Sequence, residues 1–147
     1  MIAVTIRVLA VCLLWSVASA AAPQSLYARL GGESGVAGIA DTLIDRVAAD
    51  PKLSRSFKDT NLTHIKKMLA EQICSLSGGP CQYSGDTMQQ THAGHHISEA
   101  EFYGMVESLR QVLKERAVSQ GATNELLKVL APMKRDIVEP SDPLSHP

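Results

Sequence analysis

Apolar residues recur at steps of three and four along most of this chain, and this spacing predicts amphipathic helices. A first long helix is expected between the Gly31-Gly32 pair and Pro51. A second is expected to start near Thr63, which would serve as its N-cap, and to end at Gly78-Gly79-Pro80. The buried stripe of the first helix comprises Val36, Ile39, Leu43, Ile44 and Val47, and that of the second comprises Ile65, Met68, Leu69, Gln72 and Ile73.

Two further helices are predicted in the second half of the chain. Ser98-Glu99-Ala100-Glu101 has the pattern of a capping box, which starts a helix that Gly121 is expected to end. The last helix should be kinked by Pro132. The buried stripe of the first of these helices comprises Phe102, Met105, Val106, Leu109, Val112 and Leu113, with Tyr103 on the opposite side. The buried stripe of the last helix comprises Leu126, Leu127, Leu130, Met133 and Ile137. Because no segment shows strand alternation, the predicted fold class is all-α.

The first twenty residues differ from the rest of the chain. An apolar run from Val8 to Val17 follows Arg7 and precedes the small residues Ala18-Ser19-Ala20. The run is too short for a comfortable membrane span and is typical of a cleaved secretory signal. We therefore expect a signal peptide over 1–20, one folded domain over 21–139 and a flexible, proline-rich tail over 140–147. The mature protein would be periplasmic or secreted and would not be inserted in a membrane.

Charge and cysteine content narrow the function classes. A net charge of −1 gives no electrostatic reason to expect nucleic acid as a partner. Two cysteines follow the predicted signal, Cys74 and Cys81, and an even pair in an oxidising compartment suggests a disulfide. A metal pair is the alternative, although the spacing fits structural zinc poorly.

The segment from Met88 to Ile97 carries the candidate chemistry. It places His92 at the end of a short helical turn, follows it with Gly94 and returns to an apolar residue at Ile97. An imidazole that points into apolar surroundings suits a haem iron, whereas a histidine at a helix end can also be a surface cation that the helix dipole favours. The helical core is poor in aromatic residues, so a buried planar cofactor would supply bulk that aliphatic packing must otherwise provide.

Landmarks along the chain resemble those of the group I truncated haemoglobins. The resemblance runs from Leu26 to Glu139, nearly the whole predicted mature chain. It implies a two-over-two helical sandwich around one haem b, held without covalent links because no Cys-x-x-Cys-His occurs. The matching residues are Leu26-Tyr27-Ala28-Arg29-Leu30-Gly31-Gly32, Phe57 with Thr60-Asn61, Gly78-Gly79-Pro80, Tyr83-Ser84-Gly85, Met88, His92-Ala93-Gly94, Ile97, Phe102 and Leu130-Ala131-Pro132.

The resemblance also assigns roles to residues. His92 would be the proximal iron ligand, and Phe57 would pack against the porphyrin. On the distal side, Ile44 takes the place of a tyrosine that holds bound oxygen in better-known members, and Leu69 takes the place of a glutamine. Further cofactor contacts would come from Ile65, directly over the iron, from His64, Lys66 and Tyr83 near the propionates, and from Met88, Ile97 and Phe102; Met68 and Gln72 would complete the distal pocket.

Several functions are compatible with this set of residues. The favoured one is reversible binding of oxygen, nitric oxide or carbon monoxide at the iron, for transport, sensing or scavenging. A haem enzyme, either a nitric oxide dioxygenase or a peroxidase-like protein, is the second possibility. Ile44, Ile65 and Leu69 of this chain are apolar, however, and provide no distal acid or base for such an enzyme. Electron transfer is a third possibility, with an electron donor as partner and Met68 as sixth ligand. A fourth is a haem-free interaction module stapled by the disulfide.

Overall fold

The computed structural model describes residues 23–139, and this part of the chain is helical without any strand. The predicted signal peptide at 1–20 and the predicted tail at 140–147 lie outside the described residues. The elements in chain order are α1 Leu26–Arg29, α2 Gly32–Ala49, a 3₁₀ turn Ser54–Phe57, α3 Leu62–Leu76, α4 Met88–His92, α5 Glu99–Glu115, α6 Gln120–Leu130, a second 3₁₀ turn Ala131–Met133 and α7 Lys134–Ile137.

Helix α2 lies at the centre of the packing. It contacts α3 on one side and α5 on another, while α5 also contacts α6 and the short α1 packs on both α2 and α6. The predicted stripe of α2 is buried throughout, from Val36 to Val47, and it meets Val112 and Leu113 of α5 and Leu126 of α6 in one apolar core. Two pairs of helices, α2 with α3 and α5 with α6, thus form the body of the fold.

A glycine-rich corner allows α2 to start immediately after the four-residue α1. Gly31 has φ 95°, a left-handed conformation that favours glycine, and it is the N-cap of α2. A Cβ at Gly35 would lie 2.1 Å from the carbonyl oxygen of Leu30. The backbone of α1 therefore approaches α2 more closely than any side chain at position 35 permits.

Helix caps explain where the other long helices begin. The side chain of Asn61 accepts a hydrogen bond from the His64 amide at 3.1 Å, so Asn61 and not Thr63 is the N-cap of α3. The prediction of Thr63 was wrong by two residues because both side chains are good caps. At α5 the predicted capping box is confirmed, since Ser98 and Glu101 exchange side-chain and backbone hydrogen bonds.

The exit of α5 was misassigned from the sequence. The helix ends at Glu115, and Ala117 reverses the chain with φ 56°. Ser119 then caps α6, which places Gly121 in the first turn of α6 and not at the end of α5. A glycine in a helix start is tolerated there, so its presence alone did not mark a helix end. The predicted kink at Pro132 is confirmed by the 3₁₀ turn that separates α6 from α7.

Burial along α5 is graded. Leu109, Val112 and Leu113 are buried as predicted, whereas Phe102, Met105 and Val106 in the first half are only half-buried.

None of the helices within 23–139 is both long enough and apolar enough to span a membrane.

Candidate functional site

Helix α4 holds His92 at its last position. This five-residue helix is fixed at its start by a capping box, in which Thr87 and Gln90 satisfy each other's backbone amides. One turn later, Nδ1 of His92 lies 2.8 Å from the carbonyl oxygen of Met88. A carbonyl only accepts, so Nδ1 carries the proton and donates it. The lone pair is therefore on Nε2, which is the arrangement that a metal-binding imidazole needs.

The surroundings keep this imidazole neutral. His92 is half-buried, and burial, which disfavours the charged form, lowers its pKa below the ordinary value. The nitrogen lone pair is thus present at neutral pH. After His92 the chain turns at Gly94, which has φ 77°, and it re-enters the fold at Ile97, which is 8% exposed.

Apolar side chains of α2 and α3 form one wall of the core. Ile44 is 1% exposed, and the half-buried Ile65 and Leu69 pack against the same core as the half-buried Phe57. Met68, also half-buried, shares the stripe of α3. None of these five side chains carries a strong hydrogen-bond donor.

Gln72 connects the wall to α4. Its side-chain amide nitrogen lies 3.3 Å from Sδ of Met88 and 3.8 Å from Sδ of Met133, and the residue is 9% exposed. The C-terminal part of the α3 stripe, at Gln72, therefore contacts the short helix that carries His92. Because two thioethers already engage the Gln72 amide, this group is oriented towards α4 and the 3₁₀ turn before α7.

The three residues that we expected near the haem propionates have the following surroundings in the structure. Nζ of Lys66 lies 2.7 Å from one carboxylate oxygen of Asp41 and 2.7 Å from one of Asp45, and these contacts raise its pKa. His64 is exposed, and the hydroxyl of Tyr83 donates to the Asp86 carbonyl at 2.8 Å. Lys66 thus connects α3 to α2, and the propionate contacts of all three residues stay a prediction.

The two cysteines lie at the end of α3 and in the loop after it. Their Cα atoms are 5.8 Å apart and their sulfur atoms lie within bonding distance, which is the geometry that a disulfide requires. Cys74 is 3% exposed, and Cys81 packs on the core. In the described part of the chain, no group of three His, Cys, Asp or Glu side chains is arranged to hold a metal ion.

Charged side chains surround the loop after His92 in contacts that the sequence did not indicate. Arg55 donates to the carbonyl oxygens of His95 and His96 at 3.0 and 3.2 Å, and it pairs with Glu101 at 2.8 Å. Glu139 accepts from the amides of Gly94 and His96. No local pattern signals these contacts, because the partners are about 40 residues apart or more in sequence.

Comparisons with known proteins identify the family. The bacterial-like globin model matches residues 25–139. A group 1 truncated hemoglobin of Tetrahymena pyriformis is 31% identical over 116 residues, which cover 79% of this chain and 96% of that protein. One from Mycolicibacterium paratuberculosis is 32% identical over 117 residues, covering 80% and 86%.

Solved structures agree with this result. Truncated hemoglobin from Tetrahymena pyriformis in its Fe(III) form superposes with a TM-score of 0.75 at 30% identity, covering 80% of this chain and 100% of that one. A group II truncated hemoglobin from Bacillus anthracis has the same fold, with a TM-score of 0.73 at 21% identity over 85% and 98% of the two chains. The expected two-over-two helical sandwich is confirmed, and the chain belongs to the bacterial-like globin family.

Proposed function

We propose that this protein is an exported truncated globin that binds diatomic ligands in a distal pocket without a side-chain hydrogen bond to the ligand. As a bacterial-like globin it binds haem b, and the bound haem supplies an iron at which oxygen, nitric oxide or carbon monoxide binds reversibly. The observation that carries the proposal is the apolar character of Ile44, Ile65 and Leu69 together with the half-buried His92 on α4, which the same stripe of α3 contacts through Gln72.

The residues around His92 fit a haem as its proximal side. The Met88 carbonyl fixes the tautomer and the direction of the ring, as the partners of metal-binding histidines generally do. Burial favours the neutral imidazole, so no proton has to leave Nε2 before it binds a metal. Ile97, five residues after His92, is buried, and Phe57 packs against the apolar core, so both can supply the apolar surface that a haem needs.

The distal proposal is supported by a comparison of spacing. The Tetrahymena pyriformis protein has been solved with one tyrosine replaced by phenylalanine and, separately, with each of two glutamines replaced by glutamate. The three replaced residues are spaced along that sequence as Ile44, Ile65 and Leu69 are along this one. In this chain each of the three side chains is aliphatic, and Ile44 is fully buried.

The missing hydrogen bond has a predictable consequence. Bound dioxygen is polarised, so a hydrogen bond to it is charge-assisted and contributes about 1.5 to 3 kcal/mol. Without that bond, oxygen dissociates roughly ten to a hundred times faster than from a pocket that provides it. Carbon monoxide gains less from such a bond, and its dissociation is correspondingly less affected.

The test compares dissociation rates of oxygen and carbon monoxide from the ferrous protein by flash photolysis and ligand replacement. Wild type should release oxygen fast, and Gln72→Ala should not change the rate, because the Gln72 amide is engaged by Met88 and Met133. Slow oxygen release that accelerates at least tenfold in Gln72→Ala would show that Gln72 reaches the ligand, and it would overturn the proposal.

Export is the second part of the proposal. It is supported by the signal pattern over 1–20 and by the Cys74–Cys81 pairing, since disulfides persist in oxidising compartments. Cell fractionation with mass spectrometry of the purified chain tests it. We expect periplasmic or secreted protein that begins at Ala21 and has no free thiol. Cytoplasmic protein that retains Met1 and reacts with a thiol reagent would refute export.

A further inference from the structure

The loop that follows His92 is held through its backbone by a carboxylate from the end of the described chain. One oxygen of Glu139 accepts hydrogen bonds from the amides of Gly94 and His96 at 3.0 and 3.1 Å, and its other oxygen lies 2.7 Å from Nδ1 of His96. The Glu139 amide in turn donates to the Ile97 carbonyl at 3.0 Å. A single residue thus contacts the loop at three positions.

A guanidinium holds the carbonyl groups of the same loop. Arg55 donates to the carbonyl oxygens of His95 and His96, and it is itself oriented by two hydrogen bonds to one oxygen of Glu101 on α5. Arg55 belongs to the 3₁₀ turn that ends at Phe57. The loop after His92 is therefore connected to the segment that carries Phe57 as well as to Glu139, two residues after the end of α7.

The conformation of the loop explains why such contacts are needed. His96 has φ 51°, which a residue with a side chain rarely adopts. Such a conformation persists only where the surroundings hold it. Helix α4 has five residues, too few to be stable on its own, and its packing is mainly against the short α7. The direction of His92 at the end of α4 thus depends on what fixes the chain on either side.

We propose that Glu139 and Arg55 form a loop clamp, which positions the backbone after His92 and thereby fixes the direction of Nε2 towards the iron. The carboxylate of Glu139 accepts hydrogen bonds from the loop amides, and the guanidinium of Arg55 donates hydrogen bonds to the loop carbonyls. Both kinds of backbone polar group in the loop therefore have a charged partner. The inference rests on the proposed function in one respect, namely that His92 is the iron ligand.

The experiment uses the full haem-loaded protein with Glu139→Ala and Arg55→Ala. The first readout is the iron–histidine stretching band of the ferrous protein by resonance Raman spectroscopy, which a merely structural role would not move. We expect the band to shift and broaden in both variants, and haem transfer to apomyoglobin to become about tenfold faster. Glu139→Gln keeps an acceptor oxygen and should restore much of the wild-type band.

Glu125→Ala is the matched control, because Glu125 pairs with Arg29 between α6 and α1 and makes none of the hydrogen bonds or ion pairs that hold the loop. It should lower the melting temperature about as much as Glu139→Ala and leave the iron–histidine band unchanged. The clamp would be overturned if Glu139→Ala kept the wild-type iron–histidine band and the wild-type rate of haem loss. It would also be overturned if Glu125→Ala shifted the band as much as Glu139→Ala does.

Amide hydrogen exchange separates failure of the clamp from failure of the proposed function. In wild type the Gly94 and His96 amides should be protected, and Glu139→Ala should accelerate their exchange at least tenfold. Unprotected amides in a protein that binds haem overturn the clamp alone. A chain without a Soret band overturns the proposed function, while the protection of these two amides is still measurable.

Discussion

Ile44→Tyr should convert the apolar distal pocket into one that retains oxygen. Ile44 is 1% exposed on α2, and Ala40, one turn earlier on the same face, is small enough for a ring directed towards the N-terminus of the helix. A phenol hydroxyl that reaches bound oxygen contributes about 1.5 to 3 kcal/mol. The oxygen dissociation rate should therefore fall roughly ten- to a hundredfold relative to Ile44→Phe, the matched variant that lacks only the hydroxyl.

The pair of variants removes the effect of size from the comparison. Adding a ring to a filled core costs about 1 to 3 kcal/mol, and this penalty is shared by the tyrosine and the phenylalanine. Stopped-flow replacement of oxygen by carbon monoxide gives both rates, and thermal unfolding verifies that the two variants are equally folded. Equal oxygen dissociation rates would refute the reasoning, since Ile44 would then not lie over the ligand. A wild-type rate as slow as that of Ile44→Tyr would also refute it.

Three further perturbations test separate parts of the structure. Met68→Leu should leave the ferric absorption spectrum unchanged, because Met68 fills space on the stripe of α3; a change from low-spin to high-spin would identify it as a sixth ligand. Replacing both Cys74 and Cys81 by serine should lower the free energy of unfolding in urea by about 2 to 3 kcal/mol, and an unchanged midpoint would contradict a disulfide in the native protein. The hydrogen bond from Lys67, with those from Ser84, lowers the pKa of Glu71 from 4.5 to about 2, so its stabilising effect is present above pH 4.5 and is lost as the pH falls towards 2. The difference in melting temperature between wild type and Glu71→Gln should shrink over that range, and a difference independent of pH would be the opposite result.

Local patterns were sufficient to predict most of the helical framework. The stripe of α2 and the capping box at Ser98 depend on residues three or four positions apart, so the sequence shows them directly. Where two local signals compete, the prediction failed. Asn61 and Thr63 are both good caps, and only the hydrogen bond to the His64 amide decides between them. Gly121 looked like a helix end, although Ala117 makes the turn.

Contacts between residues that are far apart in the sequence could not be predicted from local sequence patterns. The sequence indicated His92 and its short turn, and the structure adds the Met88 carbonyl that sets its tautomer. Gln72 was expected in the distal pocket, but only the tertiary packing shows its amide against two thioethers. The loop clamp of Arg55 and Glu139 joins charged residues that any surface helix or loop could carry, so nothing in their local sequence distinguishes them.

The central claim is that His92 binds the haem iron, and the most direct test is the absorption spectrum of His92→Gly with and without added imidazole. Wild type should show a Soret band in the ferric, ferrous and carbon monoxide-bound states. His92→Gly should lose the five-coordinate ferrous spectrum, and free imidazole, which can occupy the space of the missing side chain, should restore it. A His92→Gly protein with the wild-type ferrous spectrum in the absence of imidazole would contradict the account.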